Sequence, residues 1–279
     1  MRFPATTLPV DLPCIMGIVN VTPDSFSDGG RFAQRDAAVE QGLRLAAEGA
    51  AIIDVGGEST RPGSEPVDAE AETSRVLPVI EALHDALAGT ALISVDTSKA
   101  LVARRALAAG AGMVNDVTAL RGDPDMAATV AEAGCPLCLM HMLGRPRMMQ
   151  DDPRYDDVVT EVGAFLEERL SAAVDAGVAE EAVLLDPGIG FGKTLDHNLA
   201  LLAALDRIVA LGRPIVLGAS RKRFLGALLG ADDPMDRING TLATTVLGLA
   251  RGAAVFRVHD VTENLEALKV ARAVLEVGA

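Results

Sequence analysis

One stretch near the N-terminus decides the fold: Met16-Gly17-Ile18-Val19-Asn20-Val21-Thr22-Pro23-Asp24-Ser25-Phe26-Ser27-Asp28-Gly29-Gly30-Arg31-Phe32. It begins as an apolar run rich in β-branched residues and becomes, at Asn20, a polar loop that carries a proline, two consecutive glycines and two carboxylates. This pattern is typical of a buried strand that leads into a long functional loop.

Apolar runs of the same kind recur along the chain and alternate with segments of helical periodicity. Eight strands are predicted, at Cys14–Val19, Ala51–Gly56, Ala91–Asp96, Met113–Val117, Leu137–His141, Val183–Asp186, Ile215–Gly218 and Ala254–His259. The helices predicted between them include Asp36–Glu48, Ala69–Leu87, Lys99–Ala109, Asp156–Ala176, Leu199–Leu211, Arg221–Leu229 and Met235–Arg251. This alternation predicts an α/β fold, a (β/α)8 TIM barrel of parallel strands with its active site at their C-terminal ends.

No repeat or low-complexity linker divides the sequence, so we expect one barrel domain over residues 1–279. The loops at Asn20–Arg35, Gly57–Asp68 and Met142–Tyr155 are long, and we expect the first two, which are rich in Ser, Thr, Gly and Pro, to be mobile. The segment Gly240–Ala250 is apolar on nearly every side, which indicates burial on every side and therefore a subunit interface.

The composition limits the class of protein. Hydrophobic residues make up 49% of the chain and tryptophan is absent, which suits a large core of branched aliphatic side chains. The formal net charge of -14 repels polyanions and argues against a nucleic-acid-binding surface. The sequence has no apolar run of about 18 residues and no signal-peptide segment after Met1, so we predict a cytoplasmic protein that does not bind membranes.

The three cysteines, Cys14, Cys135 and Cys138, give no disulfide framework because their number is odd. Cys135 and Cys138 have the spacing of a redox or metal pair, but positions three apart on a strand point to opposite faces. We therefore expect buried structural thiols.

Polar residues stand at the ends of the predicted strands and form a ring on one face of the barrel. Asp96, Asn115 and Asp186 offer acceptor oxygens to the edge of a planar ligand with several N–H donors, while Lys222 offers a cation to an acceptor on its ring. These groups suit an aminopyrimidinone. Met140 is expected to line the wall of that pocket.

A second set of residues offers cations and hydrogen-bond donors to an anion. Arg257 and His259 lie two apart on one predicted strand, so they point to the same side and, together with Arg61, suit a phosphate or diphosphate. Mg²⁺ prefers oxygen ligands and usually binds through substrate phosphates, so the amide oxygen of Asn20 and a loop carboxylate such as Asp28 would be enough to hold it.

Structural roles compete with these assignments. A lone aspartate at a strand end often caps a helix, and Asp54 and Asp116 are interpreted in that way, while Asp96 has the same alternative. The segment 188–194 ends like a phosphate-binding Gly-Lys-Thr loop but lacks the first required glycine, so we expect no nucleoside triphosphate site there. Its glycines instead allow a ligand to stack beside Phe191.

Taken in order, the motifs from Cys14 to the last helix resemble those of dihydropteroate synthases, the sulfonamide-target enzymes of folate biosynthesis. They are Asn20-Val21-Thr22-Pro23-Asp24-Ser25-Phe26-Ser27-Asp28-Gly29-Gly30, Asp54-Val55-Gly56-Gly57-Glu58-Ser59-Thr60-Arg61-Pro62-Gly63, Ser94-Val95-Asp96, Asn115-Asp116-Val117, Leu139-Met140-His141-Met142, Asp186-Pro187-Gly188-Ile189-Gly190-Phe191, Ser220-Arg221-Lys222 and Arg257-Val258-His259-Asp260.

The resemblance implies a homodimeric enzyme that condenses (7,8-dihydropterin-6-yl)methyl diphosphate with 4-aminobenzoate to give 7,8-dihydropteroate and diphosphate, with Mg²⁺ as cofactor. The implied residues are, for the pterin, Asp96, Asn115, Met140, Asp186, Phe191 and Lys222; for the diphosphate, Thr60, Arg61, Arg257 and His259; for the aminobenzoate, Phe26, Pro62 and Ser220; for Mg²⁺, Asn20 and Asp28; and for catalysis, Asp96, Lys222, Arg257 and His259. Many members carry a serine where this chain has Arg223, which leaves the contact to the aminobenzoate carboxylate open.

The aminobenzoate amine is a weak nucleophile because it is delocalised into the ring, so diphosphate is expected to leave first.

Two other functions fit part of the pattern. A methyltetrahydrofolate-to-corrinoid methyltransferase has a similar pterin barrel, but it does not need Arg61, Arg257 and His259. A pterin-binding protein without turnover would be expected to show gaps in the loops or at the Mg²⁺ residue, and the sequence shows none.

Overall fold

The computed structural model describes residues 3–22, 30–59, 63–144 and 148–277, with only the backbone of residues 30–33. The described residues form eight parallel strands in one sheet. The strands are β1 (Cys14–Asn20), β2 (Ile52–Gly56), β3 (Leu92–Asp96), β4 (Met113–Asp116), β5 (Leu137–Met140), β6 (Val183–Asp186), β7 (Val216–Leu217) and β8 (Val255–Val258). Each end lies within one residue of its predicted bound.

The sheet closes into a barrel in chain order. Consecutive strands pair from β1 to β6, and β8 pairs with both β1 and β7. A parallel bridge between Leu185 and Ile215 joins β6 to the segment before β7 and completes the circle. The structure therefore confirms the predicted barrel, in which the C-terminal ends of all strands face the same way.

Ten α-helices of the described chain surround the sheet. They are α1 (Gly30–Ala47), α2 (Ala69–Leu87), α3 (Ala100–Ala108), α4 (Met126–Ala133), α5 (Val158–Asp175), α6 (Leu195–Ala203), α7 (Leu205–Val209), α8 (Arg223–Leu229), α9 (Ile238–Ala250) and α10 (Val261–Val277), with 3₁₀ turns at Glu180–Ala182 and Pro234–Arg237. None of the described helices is long and apolar enough to cross a membrane.

Three predicted helical segments differ from the structure by three or more residues at one end. Helix α1 begins at Gly30, although the sequence assigned residues up to Arg35 to a loop. The segment predicted as Leu199–Leu211 starts earlier, because Thr194 and His197 form a reciprocal capping box, and it divides at Ala204 into α6 and α7. The segment predicted to begin at Met235 starts with the 3₁₀ turn, where the Asp233 side chain accepts from the backbone N–H of Met235.

The barrel interior is layered because side chains at alternate strand positions point inward. The lower layer is apolar and contains Met16, Ile52, Met113, Cys138, Leu184, Val216 and Val255. Two residues further along their strands stand Ile18, Asp54, Asn115, Met140, Asp186, Gly218 and Arg257, four of which are polar or charged. The interior thus changes from apolar to polar as it approaches the C-terminal ends of the strands.

The cysteines fit this layering. Cys14, Cys135 and Cys138 are free and buried, as predicted. Cys138 belongs to the interior cluster, whereas Cys135 packs in the outer core between the sheet and the helices. Burial raises the pKa of both thiols above its usual value, which keeps them protonated and unreactive.

The loop that follows β6 depends on one glycine. Gly188 has a φ of +66°, and a Cβ at this position would lie 1.8 Å from the carbonyl oxygen of His141. A side chain there would be strained by the left-handed backbone conformation and would clash with the His141 carbonyl.

We expect Gly188→Ala to lower the free energy of unfolding by at least ~3 kcal/mol, because the clash with the His141 carbonyl adds to the backbone strain. Gly230→Ala is the matched control: its φ is +65°, and no atom lies within 4 Å of its added Cβ. The control should lose only about 1 kcal/mol. Urea denaturation measures both, and equal losses would contradict the steric explanation.

Candidate active site

An arginine whose side chain is 20% exposed lies at the centre of the polar layer. Arg257 on β8 donates from Nε to Asp54 Oδ2 at 2.6 Å and from Nη2 to Asp96 Oδ2 at 2.7 Å. Asp54 Oδ2 also accepts from Asn115 Nδ2 at 3.0 Å. The sequence had assigned Arg257 to the anion set and Asp96 and Asn115 to the pterin set, whereas the structure joins all three in one network.

Burial and the ion pairs of this network shift the pKa values of Asp96 and Arg257. Burial raises the pKa of Asp96 to about 7, although Arg257 acts in the opposite direction. Burial also works against the charge of Arg257, but Asp54 and Asp96 outweigh it and raise the pKa of the guanidinium. Arg257 therefore stays charged, while Asp96 can exchange a proton near neutral pH.

Asp186 and Lys222 flank a second part of the pocket. Asp186 Oδ1 accepts from the Gly188 N–H at 2.7 Å, and burial raises the pKa of this carboxyl. A Cβ added to Gly218 would lie 3.8 Å from Asp186 Oδ2 and 3.9 Å from Lys222 Nζ. Glycine at this position therefore keeps the space beside both charged groups free of a side chain.

Lys222 is held by the loop after β6. Its Nζ donates to the Ile189 carbonyl and lies 4.4 Å from the centre of the Phe191 ring. Burial lowers the pKa of Lys222 to about 8, against the opposing effect of Asp186. Lys222 is the residue that caps the N-terminus of α8, a position where a cation gains nothing from the helix dipole.

Apolar side chains form one wall of this pocket. Met140 is buried with Val117, Met142 and Met149, and Phe191 packs against this cluster. This position agrees with the predicted role of Met140 and Phe191 as a wall against which a flat ring can stack.

Ser220 and His259 meet where β7 and β8 end. Ser220 Oγ lies 3.0 Å from His259 Nδ1 and accepts from the His259 backbone N–H at 3.2 Å. Arg221, between Ser220 and Lys222, has a φ of +57°, and its guanidinium is paired with Asp260. Such a backbone conformation persists only when neighbouring groups enforce it. Arg223, the position that departs from the family pattern, is exposed.

Asn20 ends β1 and is partly exposed, opposite Gly56 on β2. The described residues contain no cluster of three or more His, Cys, Asp or Glu that could hold a metal ion. A single amide oxygen at this edge fits Mg²⁺ only as an ion that arrives on substrate phosphates. The other predicted ligand, Asp28, lies outside the described residues, as do Phe26, Thr60, Arg61 and Pro62.

Lys193, from the segment that ends like a nucleotide-binding loop, is buried beneath the site. Its Nζ donates to the carbonyls of Gly188 and Phe191 at 2.9 and 3.0 Å and lies 2.9 Å from His141 Nδ1. Burial lowers the pKa of Lys193, and burial together with Lys193 lowers the pKa of His141 to about 3. The lysine thus braces the loop that carries Phe191.

The two aspartates that the sequence interpreted as structural behave differently. Asp116 accepts from the backbone N–H groups of Thr118 and Leu120, so it holds the turn after β4, whereas Asp125 occupies the N-cap position of α4. Asp54 caps none of the described helices and lies inside the barrel, where it binds Asn115 and Arg257. The structure therefore corrects its interpretation as a helix cap. A signal was present, since Asp54 is the only charged residue in the otherwise apolar strand Ile52–Gly56.

Comparison with known proteins agrees with this geometry. The family described as pterin binding enzyme matches residues 16–259. The dihydropteroate synthase of Escherichia coli strain K12 is 47% identical over 270 residues, which cover 97% of this chain and 94% of the relative.

Two solved structures of Xanthomonas albilineans dihydropteroate synthase have the same fold. One, with 4-aminobenzoic acid, is 51% identical with a TM-score of 0.89 and covers 95% of this chain and 94% of its own. The other, in complex with 7,8-dihydropteroate, is 48% identical with a TM-score of 0.86 and covers 96% and 95%. The chain therefore belongs to the pterin-binding enzymes and, among them, to the dihydropteroate synthase family.

Proposed function

We propose that the protein condenses (7,8-dihydropterin-6-yl)methyl diphosphate with 4-aminobenzoate to form 7,8-dihydropteroate and diphosphate. The observation that carries this proposal is the polar layer at the barrel mouth, where acceptor oxygens and a lysine surround a pocket with an apolar wall. Relatives whose structures hold the aminobenzoic acid and the dihydropteroate product support it.

In this proposal, different residues contact the pterin and the aminobenzoate. Asp96, Asn115 and Asp186 accept N–H groups of the pterin, and Lys222 donates to an acceptor on its ring. Met140 and Phe191 contact the ring faces, since both belong to the apolar wall. Ser220 contacts the aminobenzoate, together with Phe26 and Pro62 of the loops.

Arg257 and His259, with Thr60 and Arg61, bind the diphosphate in this proposal. The C–O bond to diphosphate breaks first and its electron pair leaves with the diphosphate, because the amine of aminobenzoate is too weak a nucleophile to displace it. Asp96 stabilises the resulting pterin-methyl cation electrostatically, and preorganised charges of this kind contribute roughly 3 kcal/mol each. The amine then forms the C–N bond and loses a proton.

Asn20 and Asp28 are proposed to hold Mg²⁺ on the substrate. A bound Mg²⁺ neutralises charge that accumulates on the departing diphosphate. Loop closure excludes water, which would otherwise capture the cation.

The direct test is diphosphate release by the purified protein with dihydropterin diphosphate and Mg²⁺, with and without 4-aminobenzoate, alongside product analysis. Dihydropteroate should form only when both substrates and Mg²⁺ are present. Pterin binding without dihydropteroate under any Mg²⁺ condition would instead support a binding protein without turnover. Methyl transfer to a corrinoid would support the methyltransferase alternative.

The pH dependence of kcat/KM should be bell-shaped, because this parameter reports the free enzyme. Asp96 must be ionised to stabilise the cation, so activity should fall as pH drops through about 7. Lys222 must be protonated to donate, so activity should also fall as pH rises through about 8. Lys222→Arg keeps its charge throughout this range and should remove the alkaline limb. An alkaline limb unchanged in this variant would exclude Lys222 as its source.

We also propose a cytoplasmic homodimer. Exposed apolar side chains on α8, α9 and α10, including Leu228, Leu229, Val246, Leu247 and Val270, support an interface on this side of the barrel, because contiguous exposed apolar surface favours association. Helix α9 packs against both neighbours.

We expect Leu247→Glu to raise the dimer dissociation constant at least ~100-fold, since a carboxylate would be buried without a partner. Sedimentation velocity over a concentration series measures it. The control is Val174→Glu on α5, where the valine is 40% exposed and Leu247 is 59% exposed. A monomeric wild type, or equal effects of both variants, would reject this interface.

A further inference from the structure

Asp54, at the barrel mouth, is shared by two of the proposed substrate-binding side chains, Asn115 and Arg257. Its Oδ2 accepts from Asn115 Nδ2 at 3.0 Å and from Arg257 Nε at 2.6 Å. The donors come from β4 and β8, on either side of β2, and Asp54 itself is fully buried. One carboxylate oxygen therefore connects groups that the proposed function assigns to the pterin and to the diphosphate.

The contact determines which way the Asn115 amide faces. A carboxylate only accepts hydrogen bonds, so the amide nitrogen of Asn115 must be the end that meets Asp54. The amide oxygen is then directed elsewhere and remains an acceptor. Without a neighbour that only accepts, the two ends of an asparagine amide can exchange places by a rotation that costs little.

The same carboxylate fixes the Arg257 guanidinium. With Nε bound to Asp54 and Nη2 bound to Asp96, the planar fork is held at two points. A buried guanidinium that lost one anion would be partly uncompensated and free to rotate about the remaining contact.

We propose that Asp54 is a positioning residue for the pterin, which orients the acceptor oxygen of Asn115 towards an N–H of an aminopyrimidinone and holds Arg257 for the leaving diphosphate. This inference rests on the proposed function. Asp54 acts through its neighbours and requires no contact with the substrate.

A second observation concerns the other oxygen of this carboxylate. Within the described part of the chain, Asp54 Oδ1 and Ser94 Oγ are buried and have no hydrogen-bond partner. Asp54 and Ser94 are paired in register on β2 and β3. Ser94 therefore provides a matched control, because it lies at the same depth but touches neither Asn115 nor Arg257 through a hydrogen bond among those described.

The experiment compares Asp54→Asn with Ser94→Ala in steady-state assays. For Asp54→Asn, kcat/KM for dihydropterin diphosphate should fall at least ~30-fold, because the new amide no longer specifies how Asn115 faces. The KM for 4-aminobenzoate should change less than about threefold. Ser94→Ala should retain kcat/KM within about threefold.

A pH profile separates positioning from a purely structural role. The charged groups that act on Asp96 are Arg257, Asp54, Glu72 and Asp116. Because Asp54 raises the pKa of Asp96, its neutralisation should shift the acid limb of kcat/KM to lower pH. A loss of stability alone would leave that limb in place.

A double-mutant cycle with Asn115→Ala completes the test. If Asp54 acts in part through Asn115, Asp54→Asn should reduce kcat/KM by a smaller factor in the Asn115→Ala background than in the wild type, and the remaining loss reflects its contact with Arg257. Independent effects would multiply instead, and multiplication would overturn the proposal.

The remaining outcomes are also decisive. If Asp54→Asn and Asp54→Ser both fail to fold, Asp54 is a structural residue and the proposal is rejected. Full activity of Asp54→Asn rejects it as well. An inactive wild type that still binds the pterin would overturn the proposed function, whereas equilibrium pterin binding by wild type and Asp54→Asn would still test the orientation of Asn115.

Discussion

The structure depends on one constraint: a guanidinium placed inside a barrel must be paired. Arg257 satisfies this requirement by forming ion pairs with Asp54 and Asp96. Asp54 also accepts a hydrogen bond from the Asn115 side chain. Breaking such a buried pair typically costs about 3 to 5 kcal/mol, so the four side chains hold one another in place. The cost of keeping them charged explains why Asp96 titrates near neutral pH. Burial therefore has two effects here: it makes these ion pairs costly to break, and it raises the pKa of Asp96.

The strands could be predicted from the sequence because a parallel strand covered on both faces must be apolar throughout. Asp96, Asn115 and Asp186 could be selected as candidates because their polar side chains interrupt or end those runs. Their grouping could not be predicted, since the contact of Arg257 with Asp54 depends on closure of the sheet between β8 and β1. Asp54 was misread because a sequence does not distinguish a carboxylate that caps a helix from one that points into a barrel.

A separate group of polar contacts holds the loop after β2. Lys99, in the connection after β3, donates to Glu58 and to the fully buried Glu72 of α2, and Glu58 Oε1 accepts from the Val67 N–H at 3.2 Å. Arg75 of α2 donates to the Gly57 carbonyl at 2.8 Å. Gly57 is therefore tied to α2, and Val67 is tied through Glu58 to Lys99.

A protein with a net negative charge repels anionic substrates, and cations at the barrel mouth offset this repulsion locally. The formal net charge is -14, yet the cations Lys222 and Arg257 lie together at the C-terminal ends of the strands. Burial lowers the pKa of Lys222 to about 8, so part of its population is neutral in the free protein near that pH. A pterin-ring acceptor that takes a hydrogen bond from Lys222 favours its charged form and must raise this pKa again. By linkage, binding of the diphosphate substrate should take up a proton, most strongly where free Lys222 is half protonated.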